Sequence, residues 1–182
     1  MSDPAPALGG ALSSGFATIR EVGPQGMISL RTAPDSKGLH AAIKSCSGTE
    51  IPKVRQVLHK DGRSAGWMSP DEYLLVMPYG ETQAALSEIA LHMAGAHHLA
   101  VPVSDTRAVF QIEGEKADQV LMKLAPVDLH ALRFDELRRT RTAQVAAAFW
   151  RNEDGFTLIC FRSVARYVYD LLTLSALDGS DI

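Results

Sequence analysis

Carboxylates are the residues whose spacing comes closest to catalytic chemistry in this chain. Asp71-Glu72, Glu113 with Glu115, and Glu153-Asp154 are close pairs of the kind that general acid and base catalysis uses. Each pair falls in a turn or at a helix start, where acids are favoured by solvation, turn geometry and the helix dipole, so position alone argues for no proton-transfer role. Histidine is the other candidate. His40, His59, His92 and His130 are scattered, and the adjacent His97 and His98 would point to opposite faces of a strand, which keeps them from sharing an ion. Cys46 and Cys160 lie far apart without a CxxC spacing, which points to a reducing compartment and not to a disulfide framework. Cys160 sits inside the apolar run Phe156–Phe161, where a thiol acts as core filling. Gly114-Glu115-Lys116 has a glycine at a helix start but lacks the glycine-rich loop that cradles a phosphate. Neither the Gly-x-Gly-x-x-Gly turn of dinucleotide sites nor a Gly-x-Ser-x-Gly elbow occurs. Read by motif, the sequence nominates no catalytic residue, no metal ligand and no cofactor-binding residue.

The elements that would position such groups belong to an ordinary globular protein. The chain has 182 residues, 46% hydrophobic and 21% charged, enough for one good-sized domain or two small lobes. A net charge of −3 and a pI of about 6.0 supply no long-range attraction to nucleic acid or to an anionic membrane. The local basic cluster Arg133, Arg138, Arg139 and Arg141 is interleaved with Asp135 and Glu136, and reads as a solvated or partner-facing surface. The first residues carry no secretory pattern and no apolar run approaches the ~20 residues that span a bilayer, so a cytoplasmic protein is the expectation.

Residues 1–25 are rich in Pro, Ala, Gly and Ser and read as a flexible arm, with Phe16 and Ile19 as anchors. Gly26–Arg31 reads as a strand; residues 33–53 give no clear signal. Gly66–Met68 and Tyr73–Met77 form a hairpin, followed by a helix with Leu86, Ile89, Ala90 and Met93 on one face. His97–Val103 and Ala108–Ile112 are strands, and a helix through Ala117, Val120, Leu121 and Leu124 stops at Pro126. Thr142–Trp150 and Phe156–Phe161 form a second hairpin around Asn152–Gly155. A final helix starts near Ser163, its expected cap, with Val164, Tyr167, Val168, Leu171 and Leu172 on one face. At a constant offset of 83 residues Trp67 falls on Trp150, Asp71 on Asp154, Tyr73 on Phe156, Leu75 on Leu158 and Ile89 on Leu172, as in two copies of a strand, turn, strand, helix unit. The expected fold class is α+β: two sheet-and-helix lobes, residues 26–96 and 97–182, related by an internal repeat.

The stretch Val103-Ser-Asp-Thr-Arg-Ala-Val-Phe-Gln-Ile-Glu-Gly114, then Val120–His130, Thr142–Val145, Trp150-Arg151, Gly155-Phe156 and Arg162-Ser163, resembles the gamma-subunit family of heterotetrameric sarcosine oxidase. Gly26–Arg31, Trp67 and Asp71–Leu75 resemble its N-terminal half. More distantly, the family is similar to the folate-binding domains of aminomethyltransferases, built from paired ferredoxin-like lobes. The resemblance implies an accessory subunit in the complex that oxidises sarcosine to glycine. It places FAD, FMN, NAD and tetrahydrofolate in the larger alpha and beta subunits, with alpha, beta and delta chains as partners. It also implies one alternative, a stand-alone tetrahydrofolate-binding or aminomethyltransferase-like module. There Asp128 in Ala-Pro-Val-Asp-Leu would meet the folate-linked amine, although Val127 stands where the transferase pattern has Asn. The bland role for Asp128 is a cap after Pro126. Phe16, Tyr79 and the Arg138-Arg139 pair are the candidate partner contacts.

Overall fold

The computed structural model describes residues 4–182. In chain order the elements are β1 (Leu12–Ser14), β2 (Thr18–Val22), β3 (Gln25–Thr32), α1 (Leu39–Ser47), β4 (Val57–Lys60), β5 (Arg63–Ser69), β6 (Glu72–Pro78) and α2 (Thr82–His92). They continue with β7 (His98–Pro102), β8 (Arg107–Glu113), α3 (Ala117–Met122), β9 (Leu137–Thr142), β10 (Val145–Asn152), β11 (Gly155–Phe161) and α4 (Ala165–Ser175). The chain divides into a unit of residues 25–104 and a composite unit in which the segment up to Pro24 joins residues 105–182.

The 25–104 unit is an antiparallel sheet ordered β4-β5-β6-β3-β7 under α1 and α2. Alternation fixes the inward face: Ile28 and Leu30 of β3, Ala65 of β5, and Tyr73, Leu75 and Met77 of β6 are buried together. Helix α1 answers with Leu39, Ala42, Ile43 and Cys46 at i, i+3, i+4 and i+7, and α2 with Ala85 and Ile89. Each fully buried Leu, Ile or Met contributes about 1.5–3 kcal/mol. Gly38 precedes α1 with φ 86°, and a Cβ there would lie 2.0 Å from the carbonyl oxygen of His92, so only glycine lets α1 begin this close to the end of α2.

The composite unit is a sheet ordered β1-β2-β8-β11-β10-β9. Ile19, Phe110, Ile112, Phe149, Phe156 and Leu158 face Val120 and Leu121 of α3 and Val168 and Leu172 of α4. Phe149 and Phe156 meet edge to face at 6.4 Å.

Both units have the ferredoxin-like pattern. In the first, the succession β3-α1-β5-β6-α2-β7 gives the sheet order β7-β3-β6-β5, with β4 added at the edge. In the second, β8-α3-β10-β11-α4 takes its last strand from the chain's beginning, giving β2-β8-β11-β10, with β1 and β9 at the edges. The 83-residue offset maps β6 (72–78) onto β11 (155–161) and α2 (82–92) onto α4 (165–175).

Several expectations are corrected. Residues 1–25 do not form a flexible arm where they are described, from residue 4 onward; Met1–Asp3 lie outside the described residues. Strand β2 pairs with β8 from Thr18↔Glu113 to Val22↔Val109 and buries Ile19 completely. The buried Glu21 carboxylate accepts the amides of Leu8 at 3.0 Å and Gly10 at 2.9 Å, and the Arg162 guanidinium donates to the Ala5 carbonyl at 2.9 Å. The boundary expected at 96/97 falls at 104/105, because β7 pairs with β3. Ser163 lies in a 3-10 turn, Arg162–Val164, and makes no side-chain cap to α4. Val168 and Leu172 are buried as expected, whereas Tyr167 is 41% exposed.

Candidate functional site

The register of β8 on β11 sets Glu113 opposite Gly155, and the Gly114 amide donates to the Asp154 carbonyl at 2.9 Å. Gly155 has φ 149°, and a Cβ would meet the Ile112 carbonyl oxygen at 2.0 Å, so glycine is required where the two strands close. This closure brings together two acid pairs that the sequence reading kept apart. Glu113, Glu115, Asp118, Glu153 and Asp154 line a concavity of about 710 Å³ with Phe134, Arg151, Asn152 and Phe156. Arg151 lies over the Phe156 ring at 5.0 Å and donates to the Leu129 carbonyl at 3.1 Å. Glu113 pairs with Arg20 at 3.1 Å, and Asn152 donates to Gln111 at 2.6 Å and Thr157 at 3.1 Å. The cleft has the charge to attract a cationic group. No group of three or more His, Cys, Asp or Glu is arranged to hold a metal ion among the described residues. The signal that could have found this convergence is the strand register, which no local window contains.

The remaining candidates lie elsewhere. Asp71 accepts the Ser69 hydroxyl at 2.7 Å and the Arg31 guanidinium at 2.8 Å, and these bonds hold its carboxyl below the ordinary range. Glu72 accepts the Ser29 hydroxyl at 3.0 Å. Asp128 is exposed, and its Oδ1 accepts the amides of His130 at 3.1 Å and Ala131 at 3.3 Å, which is a turn-capping role; it is not among the residues that line the acidic cleft. Burial pushes the Cys160 thiol up to about 12 and raises that of Cys46 as well. Exposed His59, near the end of β4, shares a 2.9 Å hydrogen bond with Ser64, and the partial desolvation of its ring lowers its pKa. Exposed Glu50 is pulled down to about 2 by Lys44 first and His40 second.

The proposed partner contacts are distributed differently from the sequence reading. Phe16 is half-buried under the Lys123 ammonium at 4.9 Å, and Tyr79 is half-buried too. Arg138 pairs with Glu136 at 2.8 Å, while Arg139 is exposed; as neighbours on β9 they point to opposite faces and make no single patch.

Residues 31–177 match the model of the sarcosine oxidase, gamma subunit family. The chain belongs to that family. It is 31% identical over 143 residues to the sarcosine oxidase subunit gamma of Arthrobacter sp, a match covering 76% of this chain and 69% of that one. A chain of the heterotetrameric sarcosine oxidase from Corynebacterium sp. U-96, solved in complex with pyrrole 2-carboxylate, matches with a TM-score of 0.79 and 28% identity over 88% of this chain and 83% of that one. The glycine cleavage system aminomethyltransferase T from Bartonella henselae shares the fold, with a TM-score of 0.63 and 17% identity over 87% of this chain and 46% of that one. The resemblance drawn from Val103–Gly114 and the segments after it is therefore correct at the level of the gamma-subunit family and of the aminomethyltransferase-like fold. No helix among the described residues is long and apolar enough to cross a membrane.

Proposed function

We propose that this chain is the non-catalytic gamma subunit of a heterotetrameric sarcosine oxidase, where it supports assembly of the complex that oxidatively demethylates sarcosine to glycine in the cytoplasm. The alpha, beta and delta chains are its partners, and FAD, FMN, NAD and tetrahydrofolate reside in the larger subunits. The observation that carries this reading is the family match over residues 31–177 together with the likeness, at 28% identity, to a chain of a heterotetrameric sarcosine oxidase. The side chains add support: the Cys160 thiol is held near 12, where little thiolate exists at neutral pH, and Asp128 is engaged with two backbone amides.

Co-expression with the alpha and beta chains, followed by size exclusion, tests the reading; the expected result is co-elution with both, and elution of the chain by itself overturns it. The competing reading, a folate-binding module using Asp128, has the shared aminomethyltransferase fold in its favour. Titrating tetrahydrofolate into the purified chain separates the two. No heat change is expected, whereas saturable micromolar binding lost in Asp128→Ala would establish the competitor.

A further inference from the structure

The two units correspond strand for strand at their centres, and each acts as a control for the other. Strand β2 holds in the composite unit the place that β7 holds in the 25–104 unit: each pairs antiparallel with the central strand, β8 or β3. Outside β2 lies a further strand, β1, in register Leu12↔Arg20 to Ser14↔Thr18. Outside β7 there is no strand among the described residues. The same scaffold is thus completed by an additional short strand in one unit and ends at a bare edge in the other.

Among the described residues, hydrogen-bonding groups on the bare edge have no partner. The Val103 amide donates to the Met27 carbonyl, opposite it in the register, so the alternation of antiparallel pairs turns the N–H and C=O of His98 and Ala100 away from β3. Pro102, also at an outward position, keeps only its carbonyl on that side. Leu99 is 56% exposed and Val101 37%, and β7 carries no Lys, Arg, Asp or Glu. Pro102 blunts only the last position of β7, whereas the other edges are blunted more fully: β9 is Leu-Arg-Arg-Thr-Arg-Thr, β4 ends in His59-Lys60, and β1 has only three residues. An uncharged edge with exposed apolar side chains and unpaired amides is built to be covered.

On the reading of this chain as an accessory subunit, we infer that β7 receives an extended segment of a large subunit, which adds antiparallel outside it as β1 does outside β2. The incoming segment is short and apolar on the side that meets Leu99 and Val101, and it bonds to His98 and Ala100. A second copy of this chain is a poorer occupant. Antiparallel self-pairing centred on Ala100 sets His98 opposite Pro102, whose missing N–H leaves the His98 carbonyl without a donor. Five residues a side also fall far short of the ~20–30 of a stable dimer interface. An edge of this size works as one part of a larger docking surface.

Ala100→Pro removes the outward amide and leaves the inward ladder to β3 intact, since that residue's N–H faces away from β3. Because its side chain also touches the core, the double variant Leu99→Lys with Val101→Lys serves as the second probe, and Leu91→Lys, at a 69% exposed position on α2, as the control. Affinity for co-purified alpha and beta chains is measured by titration, with melting temperature checked for each variant. Both edge variants are expected to lose about tenfold or more, roughly 1.4 kcal/mol or more, with the control unchanged. Wild-type affinity in both edge variants, with the native chain still assembling, overturns the edge and leaves the assembly reading standing. If the native chain does not assemble at all, both fall. If it dimerises alone and Ala100→Pro makes it monomeric, the occupant is a second copy and the partner assignment is wrong.

Discussion

The Glu21 side chain is only 4% exposed, and its carboxyl oxygens accept the backbone amides of Leu8 and Gly10. Removing it leaves the Leu8 and Gly10 amides without an acceptor, a loss of about 1–3 kcal/mol for Glu21→Ala, read as a lower urea midpoint; Glu21→Gln, which keeps one acceptor oxygen, loses less. Cys160 gives a prediction in pH. Its folded pKa of about 12 lies above the ~8.5 of a free thiol, so its contribution is complete below that lower value. As pH rises past it, the unfolded thiol ionises and the folded one does not, and stability falls until about 12. Unfolding free energies measured from pH 8 to 11 should decline less steeply in Cys160→Ala than in the native chain. Thiol reagent at pH 8 should label neither buried cysteine until denaturant is added.

Helix α1 depends on one backbone position. Gly38→Ala places a methyl group 2.0 Å from the His92 carbonyl and asks a non-glycine residue to hold φ 86°, whereas Gly62→Ala at φ 74° meets nothing within 4 Å. The second substitution should cost about 1–2 kcal/mol in urea unfolding, the conformational cost alone, and the first clearly more. Helix α1 was missed in the sequence although Leu39, Ala42, Ile43 and Cys46 have the helical period, because Gly38 offers no side-chain cap and Ser45 to Ser47 are weak helix formers. The hairpins β5–β6 and β10–β11 were legible because strand, turn and strand are contiguous. Strand β9 was read only as a basic cluster, since nothing local says that Leu137–Thr142 pairs with β10. The acidic cleft was invisible for the same reason: Glu115 and Glu153 meet only through the register of β8 on β11.

Across the whole chain, architecture was legible further than attachment. The 83-residue offset coincides with the β6–α2 and β11–α4 correspondence, yet composition alone marked the N-terminal segment as an arm and gave β7 to the wrong lobe. An arm can be removed without harm; a strand that buries Ile19 and covers the edge of β8 cannot. A chain starting at Gln25 should therefore lose the cooperative unfolding transition of residues 105–182, seen as a missing transition in calorimetry, while the 25–104 transition persists. Sheet order also fixes a timetable for synthesis. Residues 25–104 hold every strand of their own sheet and can fold as soon as they clear the ribosome, but β2, made before them and paired at first only with β1, meets its second neighbour only when Arg107–Glu113 arrives, and its covering helix only at Ala165–Ser175. The newborn polypeptide thus carries the β1–β2 hairpin without the rest of its sheet while a whole unit is made behind it, and that sheet is sealed only once Ala165–Ser175 has emerged.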